Sequence, residues 1–149
     1  MRGFAMTAAA VLLLAGSVGM TAQGRPMTVE VYKSPTCGCC SQWVEHLKRH
    51  GFTVRTTDTD TIDDLKDSRG VPPRARSCHT ALVGGYVVEG HVPAPDVQRL
   101  LKERPAILGI AVPGMPIGSP GMEVPGMKPQ PYTVFAFTKD GGTRVFASH

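Results

Sequence analysis

The sequence predicts a mixed α/β fold with elements in the order β-α-β-α-β-β-α, followed by an extension that ends in a β-hairpin. Three observations lead to this prediction. Apolar and polar residues alternate in residues 27–34 and 52–58, as they do in half-buried strands. Two segments carry apolar residues at helical spacing between recognisable helix ends. Glycine pairs at 84–85 and 141–142 separate short β-rich runs, which is typical of hairpins.

The first strand leads directly into the first helix. The stretch M-T-V-E-V-Y-K-S (residues 27–34) is predicted to be a strand because β-branched residues alternate with polar ones. Thr36 is the expected N-cap of the following helix, in which apolar residues recur at helical spacing up to Leu47. Gly51 stands where a C-terminal glycine ends a helix. The turn into the helix therefore contains S-P-T-C-G-C-C-S-Q-W (residues 34–43).

The remaining elements follow in short succession. F-T-V-R-T-T-D (residues 52–58) is the second strand, and a short acidic helix begins near Thr61. We expect the aspartates of this helix start to lie in solvent, where the helix dipole favours them. Residues 80–83 and 86–89 form a hairpin, and a last helix occupies residues 95–105, between two prolines.

The extension differs from the preceding residues in composition. Residues 106–131 are rich in proline and glycine, show no periodicity, and contain Pro-Gly-Met three times, ending at Met115, Met122 and Met127. The last residues, Y-T-V-F-A-F-T-K-D-G-G-T-R-V-F-A, are predicted to be a hairpin. The proline-rich segment is therefore tethered at both ends and can fold back over the domain.

The N-terminus has the layout of a secretory signal peptide, with an early arginine, an apolar run and small residues near Ala22. We predict a signal peptide at residues 1–22, an α/β domain at residues 27–105 and an extension at residues 106–149. An uncleaved membrane anchor is the alternative for the leader, although its apolar run is short for a bilayer. The expected location is the periplasm.

Composition limits the possible partners. Sixteen Lys and Arg against twelve Asp and Glu give a net charge of +4, and these charges are scattered along the chain. No basic tract with interleaved aromatic residues is present, so we expect no nucleic-acid partner. Removal of the leader leaves roughly 125 residues, enough for one compact domain with no membrane attachment, which we expect to be a monomer.

The predicted element order resembles the thioredoxin and glutaredoxin fold, with the cysteine-rich turn between the first strand and the first helix. In that fold a cis-proline usually precedes the third strand and faces the redox cysteines. Here Ser77, Cys78 and His79 occupy the equivalent place, since Pro72 and Pro73 come several residues too early. The resemblance therefore implies that a sulfur and an imidazole face the cysteine-rich turn.

Three of the four cysteines lie in that turn. Cys37 and Cys40 have C-x-x-C spacing, which at a helix start lowers a thiol pKa and favours redox chemistry. On a regular helix Cys39 would point away from both, so the three sulfurs converge only if Cys37 lies in the preceding loop. The sequence leaves open whether these thiols form a disulfide, hold a metal, or do both in turn.

The other candidate ligands decide which metal is favoured. Three cysteines with His79 would make a tetrahedral zinc site. The methionines after residue 110 argue for Cu(I), because a thioether is a poor ligand for zinc and a good one for a soft ion. His91, in E-G-H-V-P, is a further candidate whose spacing fits ligation and a surface role equally. We expect His46, His50 and His149 in solvent, and Trp43 in the core.

Four motifs together resemble the CopG-type periplasmic copper-resistance proteins, formerly a domain of unknown function. They are C-G-C-C, S-C-H-T, G-Y-V-V-E-G-H-V-P and A-V-P-G-M-P-I-G-S-P-G-M-E. The resemblance covers residues 27–123. It implies a thioredoxin-like domain whose extension helps to hold several copper ions bridged by sulfur. The metal ligands implied at matching positions are Cys37, Cys39, Cys40, Cys78, His79, His91, Met115 and Met122.

These observations support a leading hypothesis and two alternatives. The leading one is a periplasmic copper-binding protein of copper resistance that interconverts Cu(I) and Cu(II), served by an efflux system or an electron donor. One alternative is a copper chaperone or sponge without redox turnover. The other is a thiol-disulfide oxidoreductase that uses Cys37 and Cys40 as its catalytic pair. Whether the protein is an enzyme, such as a copper oxidoreductase, stays open at this stage.

Overall fold

The computed structural model describes residues 27–149, so the predicted signal peptide lies outside the described residues. Within that range the longest helix has 12 residues, about 18 Å at 1.5 Å per residue, which is too short to cross a bilayer. The strands and helices follow one another in this order: β1 Thr28–Lys33, α1 Gly38–Arg49, β2 Thr53–Asp58, α2 Ile62–Ser68, β3 His79–Val83, β4 Tyr86–Glu89, α3 Ala94–Glu103, β5 Gly109–Ala111, β6 Thr133–Phe137 and β7 Thr143–Ser148.

All seven strands belong to one mixed sheet with the order β2-β1-β3-β4-β5-β6-β7. The pairs β1·β2 and β4·β5 are parallel, whereas the other neighbours are antiparallel. Strands of the extension thus continue the sheet begun by the first four strands. The β1·β3 register places Lys33, at the end of β1, opposite His79, at the start of β3. This pairing brings the turn after β1 next to the segment before β3.

The predicted element order through α3 and the closing hairpin are confirmed, and so is the mixed α/β class. One strand was missed. Residues 109–111 (Gly-Ile-Ala) form β5, inside the segment that the sequence showed as irregular. A run of three residues has no period to detect, and β5 exists because β4 and β6 supply hydrogen-bonding partners on both sides.

The start of α1 differs from the prediction by one position. The N-cap is Cys37, in an extended conformation with φ −78° and ψ 94°, rather than Thr36. The hydroxyl of Thr36 instead lies 3.2 Å from that of Ser34. Cys37 therefore lies outside the helix, which is the condition that the sequence set for convergence of the three sulfurs.

The core lies between the sheet and the helices. Trp43 and Leu47 of α1 are fully buried, as are Leu100 of α3 and the β1 valines. The indole Nε1 of Trp43 donates to the Val92 carbonyl at 2.8 Å, which satisfies its one polar atom. Each buried Leu or Val side chain contributes about 1.5–3 kcal/mol relative to exposure. The core position predicted for Trp43 is confirmed.

His46 is not in solvent, which corrects the sequence expectation. It is half-buried, and its Nε2 accepts a hydrogen bond from the backbone N–H of Ala94 at 3.0 Å. Ala94 is the first residue of α3, and the preceding Pro93 has no side chain that can cap the helix. His50 and His149 are exposed, as expected, although His149 Nε2 lies 2.7 Å from Asp96 Oδ2. Both contacts join distant parts of the chain, so local sequence could not indicate them.

The hydrogen bond that His46 accepts at the start of α3 predicts that the protein is less stable in acid. Burial, with the nearby His50 and Arg49 charges, lowers the pKa of His46 to about 4, although Glu123 opposes the shift. As the pH falls below 6.5, His46 is protonated in the unfolded chain, whereas in the folded chain it is protonated only near pH 4. The free energy of unfolding is therefore at its full value above pH 6.5 and decreases as the pH falls from 6.5 to 4. We expect a loss of about 1–2 kcal/mol after solvent screening. Urea unfolding from pH 7.5 to 4 should show a flatter profile for His46→Gln; an unchanged slope would contradict the cap.

Candidate metal centre

Three sulfurs meet at the N-terminal end of α1. Cys37 and Cys40 form a disulfide in this structure, and the Cys39 sulfur lies 3.5 Å from that of Cys37. Cys40 is fully buried, whereas Cys37 and Cys39 are partly exposed. The open N–H groups and positive dipole at a helix start favour thiolate or any other negative charge placed there. This end of the helix is therefore suited to deprotonated sulfur.

Cys78 approaches the same place from the other side of the turn. It immediately precedes β3, and the pairing of β3 with β1 puts the two loops side by side. The ligand atoms of Cys37, Cys39, Cys40 and Cys78 all lie within 4.8 Å of one another. Residues about forty positions apart in sequence thus form a single sulfur cluster, and we call these four residues the thiol group.

Cys78 also belongs to a second cluster with two histidines. Its sulfur lies 3.3 Å from Nδ1 of His79 and 3.1 Å from Nε2 of His91. The three ligand atoms lie within 4.8 Å of one another, and we call these residues the imidazole group. Because a thiolate sulfur has several lone pairs, the shared Cys78 can contact a metal in each group. Two groups that could each hold a metal ion therefore share one residue.

The two imidazoles are prepared for ligation in different ways. His91 Nδ1 lies 2.8 Å from the carbonyl oxygen of Pro120, which can only accept, so Nδ1 carries the proton and Nε2 is free for a metal. His79 is fully buried, and its ring lies 4.3 Å from that of Trp43. Its Nε2 is one of two buried side-chain atoms in residues 27–149 without a hydrogen-bond partner. The nitrogen of His79 that faces Cys78 is Nδ1, so Nδ1 rather than Nε2 is the atom that could bind a metal of this group.

The electrostatics of the site keep the two imidazoles in the neutral form that binds metal, whereas they keep the Cys78 thiol protonated. Burial lowers the pKa of His79 well below its ordinary value, with smaller contributions from His91 and Lys66. Burial likewise lowers the pKa of His91, so both rings are neutral near pH 7. Burial and then Cys39 raise the pKa of Cys78 to about 11. Its thiol keeps its proton until a cation replaces it, so metal binding releases protons.

The long loop, residues 112–132, covers this site, which agrees with the expectation that the extension folds back. Ser77 Oγ donates to the Gly114 carbonyl at 2.5 Å, and Pro120 accepts from His91 as described. Gly121 packs against the start of α1 with φ +84°. A Cβ added there would lie 2.8 Å from the Cys39 carbonyl oxygen and 2.8 Å from the backbone nitrogen of Trp43. Only glycine permits this close approach.

The methionines are less closely placed than the cysteines and histidines. Met122 is partly buried, while Met115 and Met127 are 52% and 53% exposed. Met115 follows the Gly114 that contacts Ser77, and Met122 follows Gly121. Both therefore lie on backbone that touches the site, although no thioether contact defines them as ligands. Their assignment as ligands stays a prediction.

The donor set determines which ions fit. Four sulfurs and two imidazoles suit soft and borderline ions such as Cu(I), Cu(II) and Zn(II), whereas Ca(II) and Mg(II) require oxygen ligands. Glu123, the acidic residue of the long loop, accepts a hydrogen bond from the backbone N–H of Gly121 at 2.8 Å. The residues present thus fit a soft metal. Six of the eight predicted ligands are brought together: Cys37, Cys39, Cys40, Cys78, His79 and His91.

One set of residues beside the site was not indicated by the sequence. Lys66 of α2 and Glu89 of β4 form a buried ion pair directly behind the segment 77–80. Lys66 lies in the short helix whose aspartates we expected in solvent, and no local pattern separates it from the exposed lysines among the described residues. Only the packing of α2 against the sheet shows that it is inside.

Comparisons with known proteins agree with this geometry. A family described as "Protein of unknown function, DUF411" matches residues 75–122, which contain Cys78, His79 and His91. Two solved structures of copper resistance protein copG, in forms 1 and 2, are each 42% identical to this chain with a TM-score of 0.79. They cover 84% of this chain, and the matches span 99% of form 2 and 98% of form 1. The chain belongs to the CopG family.

Membership of the CopG family confirms the resemblance inferred from the four motifs. The match to both CopG structures extends over the sheet and helices, so the seven-stranded α/β architecture is shared. No match was found among curated proteins. The CopG relatives are named as copper resistance proteins, and the present chain has a cysteine and histidine cluster that can hold metal.

Proposed function

We propose that this chain is a periplasmic copper-binding protein of copper resistance, which holds more than one copper ion and interconverts Cu(I) and Cu(II). The observation that carries the proposal is the position of Cys78, whose sulfur belongs to both the thiol group and the imidazole group. A shared thiolate can bridge two ions at short separation. Two metal-binding groups with one common sulfur favour a multinuclear centre over two independent sites.

Copper is favoured over zinc by the combination of donors. A structural zinc site is complete with four ligands, and the two groups together offer six. The methionines next to the site add thioethers, which suit Cu(I) and not zinc. The two solved CopG structures are of proteins named for copper resistance, which supports the same metal.

The mixed donor set also supports a redox role. Thiolates and thioethers stabilise Cu(I), whereas imidazoles are good ligands for Cu(II), so one site accommodates both oxidation states. Each interconversion moves one electron, and a separate donor or acceptor must supply or remove it. A periplasmic redox partner or copper efflux system fits that need. The thioredoxin-like arrangement proposed for residues 27–105 would place the site at an accessible helix end.

The test is metal loading followed by electrochemistry. Protein exported to the periplasm is isolated, its disulfide is reduced, and Cu(I) is added under anaerobic conditions. We expect more than one copper per chain by elemental analysis and a reversible copper couple by voltammetry. A chaperone or sponge would bind copper without a reversible couple. Protein that contains zinc alone, and that rejects copper after reduction, would contradict the proposal.

A second function is favoured by one observation, the Cys37–Cys40 disulfide. A C-x-x-C pair at a helix start is the arrangement that thiol-disulfide oxidoreductases use. Against this function, the described residues contain no cis peptide bond, and Cys78 stands before β3 where the cis-proline would be. Reduction of insulin by metal-free protein distinguishes the two functions, since fast turnover would favour the oxidoreductase.

A further inference from the structure

Behind the metal centre lies an ion pair that the proposed chemistry does not use. The Lys66 ammonium contacts the Glu89 carboxylate, and their side chains are only 2% and 0% exposed. Among the ion pairs formed by residues 27–149, it alone has both partners buried. Removing two charges from water is costly, and an apolar pair of similar size commonly stabilises a core at least as well. Core stability therefore does not account for the pair.

The contacts of the pair show what it holds. Glu89 Oε1 accepts the backbone N–H of Ser77 at 2.8 Å, and Oε2 accepts the Thr80 hydroxyl at 2.7 Å. Lys66 Nζ donates to Thr80 Oγ1 at 2.9 Å as well as to Glu89. The network thus forms hydrogen bonds with residues 77 and 80, one on each side of Cys78 and His79. Between them lie Cys78, which the thiol group and the imidazole group share, and His79, which belongs to the imidazole group.

The contact to Ser77 lies outside the strand ladder, whereas His79 and Thr80 are paired residues of β3. Cys78 precedes β3, so regular sheet hydrogen bonds do not determine its position. A slip of one residue there would turn Cys78 and His79 to opposite faces. The Ser77 N–H is held by Glu89, the Ser77 hydroxyl by Gly114 of the long loop, and the His79 carbonyl accepts from Gly90 at 3.1 Å. Glu89 is the side chain common to both ends of this segment.

We propose that Lys66 and Glu89 are positioning residues of the metal centre, which hold the segment 77–80 so that Cys78 and His79 face the other donors. This inference rests on the proposed function, because it assumes that the cluster binds copper. It adds that the cluster's shape is set from behind by a buried ion pair that contacts no metal. Outer groups of this kind typically change metal affinity about 10- to 100-fold.

The experiment replaces both charges at once, so that neither is left buried alone. Lys66→Met with Glu89→Leu removes the network, and Glu89→Gln is a milder variant that keeps an oxygen for the Ser77 N–H. Leu100→Ala is the control, because Leu100 is fully buried in α3 and belongs to neither donor group. Cu(I) affinity is measured on reduced protein by competition with bathocuproine disulfonate.

A second measurement does not involve copper. Phenylarsine oxide condenses with two neighbouring thiols, forming two As–S bonds and releasing water. Cys39 and Cys78 are the free thiols of residues 27–149, and their sulfurs lie within 4.8 Å. On protein that keeps its Cys37–Cys40 disulfide, the rate at which this adduct forms, followed by mass spectrometry, therefore reports whether Cys78 faces Cys39. If the wild-type protein rejects copper, the proposed function fails while this measurement still decides the positioning role.

We expect the double variant to bind Cu(I) at least about 10-fold more weakly, and to form the arsenical adduct at least about 10-fold more slowly, while its circular dichroism matches the wild type. Glu89→Gln should lie between the two. Leu100→Ala should lower the urea midpoint without changing either readout. Wild-type copper affinity and adduct rate in the folded double variant would overturn the proposal. If that variant does not fold, the same wild-type values in Glu89→Gln would overturn it.

Discussion

The Cys78→Ser protein is expected to lose most of its copper, because one sulfur is removed from both donor groups at once. Cys78 lies within reach of the other three cysteines, at the start of α1, and of both imidazoles. Serine is nearly isosteric, and Cys78 is only partly buried, so the fold should remain. Loss of an outer hydrogen-bond partner alone costs about 10- to 100-fold in metal affinity, so loss of a bridging ligand should cost at least about 100-fold. Elemental analysis should find less than half of the wild-type copper.

The matched control is Cys39→Ser, which removes a sulfur from the thiol group only. Cys39 is also partly exposed and also unpaired in this structure, so the two substitutions differ chiefly in the number of groups they affect. We expect Cys39→Ser to retain the imidazole group and its metal. Equal losses in the two variants would show that Cys78 is one ligand among several, with no bridging role.

Gly121→Ala should strongly destabilise the protein, because it disturbs the packing of the long loop on α1. The added Cβ would lie 2.8 Å from the Cys39 carbonyl and 2.8 Å from the Trp43 nitrogen, and both of these atoms belong to helix backbone that cannot rotate away. Such overpacking costs about 1–3 kcal/mol, and alanine at φ +84° adds about 1 kcal/mol. We expect the free energy of unfolding in urea to fall by about 2–4 kcal/mol and copper to bind more weakly.

Gly126→Ala separates the cost of overpacking from the cost of placing alanine at a positive φ. Gly126 has a nearly equal φ of +80°, in the same loop, and nothing lies within 4 Å of an added Cβ. This variant should lose only the conformational part, about 1 kcal/mol, and should bind copper as the wild type does. If both variants lose the same stability, the close packing of Gly121 on α1 contributes nothing.

Much of the fold followed from local patterns that the sequence displays. Alternation marked β1, and a glycine after Arg49 marked the end of α1, because strand and helix periods depend on neighbouring residues. The β5 strand escaped because its three residues become a strand only through their partners. The N-cap moved from Thr36 to Cys37 because a side chain that can cap does not have to do so.

In the candidate site, too, some features followed from local sequence and others depended on distant partners. C-x-C-C and Cys-His are local signals, and the resemblance to the thioredoxin fold implied that Cys78 faces the other three cysteines, as it does here. The cap by His46 and the burial of Lys66 could not be predicted, since each depends on a partner at least fourteen positions away in sequence. Those partners are defined only once the sheet order is known. Sequence indicated which atoms could bind metal, and the structure added what holds them in place.

The long loop leaves the sheet at β5 and returns at β6, and these two strands are paired neighbours. Its ends are consequently pinned side by side whatever lies between them, and closing a loop of different length costs little. The cysteines and histidines of the site lie between residues 37 and 91, whereas Met115 and Met122 lie in the long loop. Homologues could therefore exchange or resize the segment and acquire a new preference among metals, with the scaffold itself inherited intact.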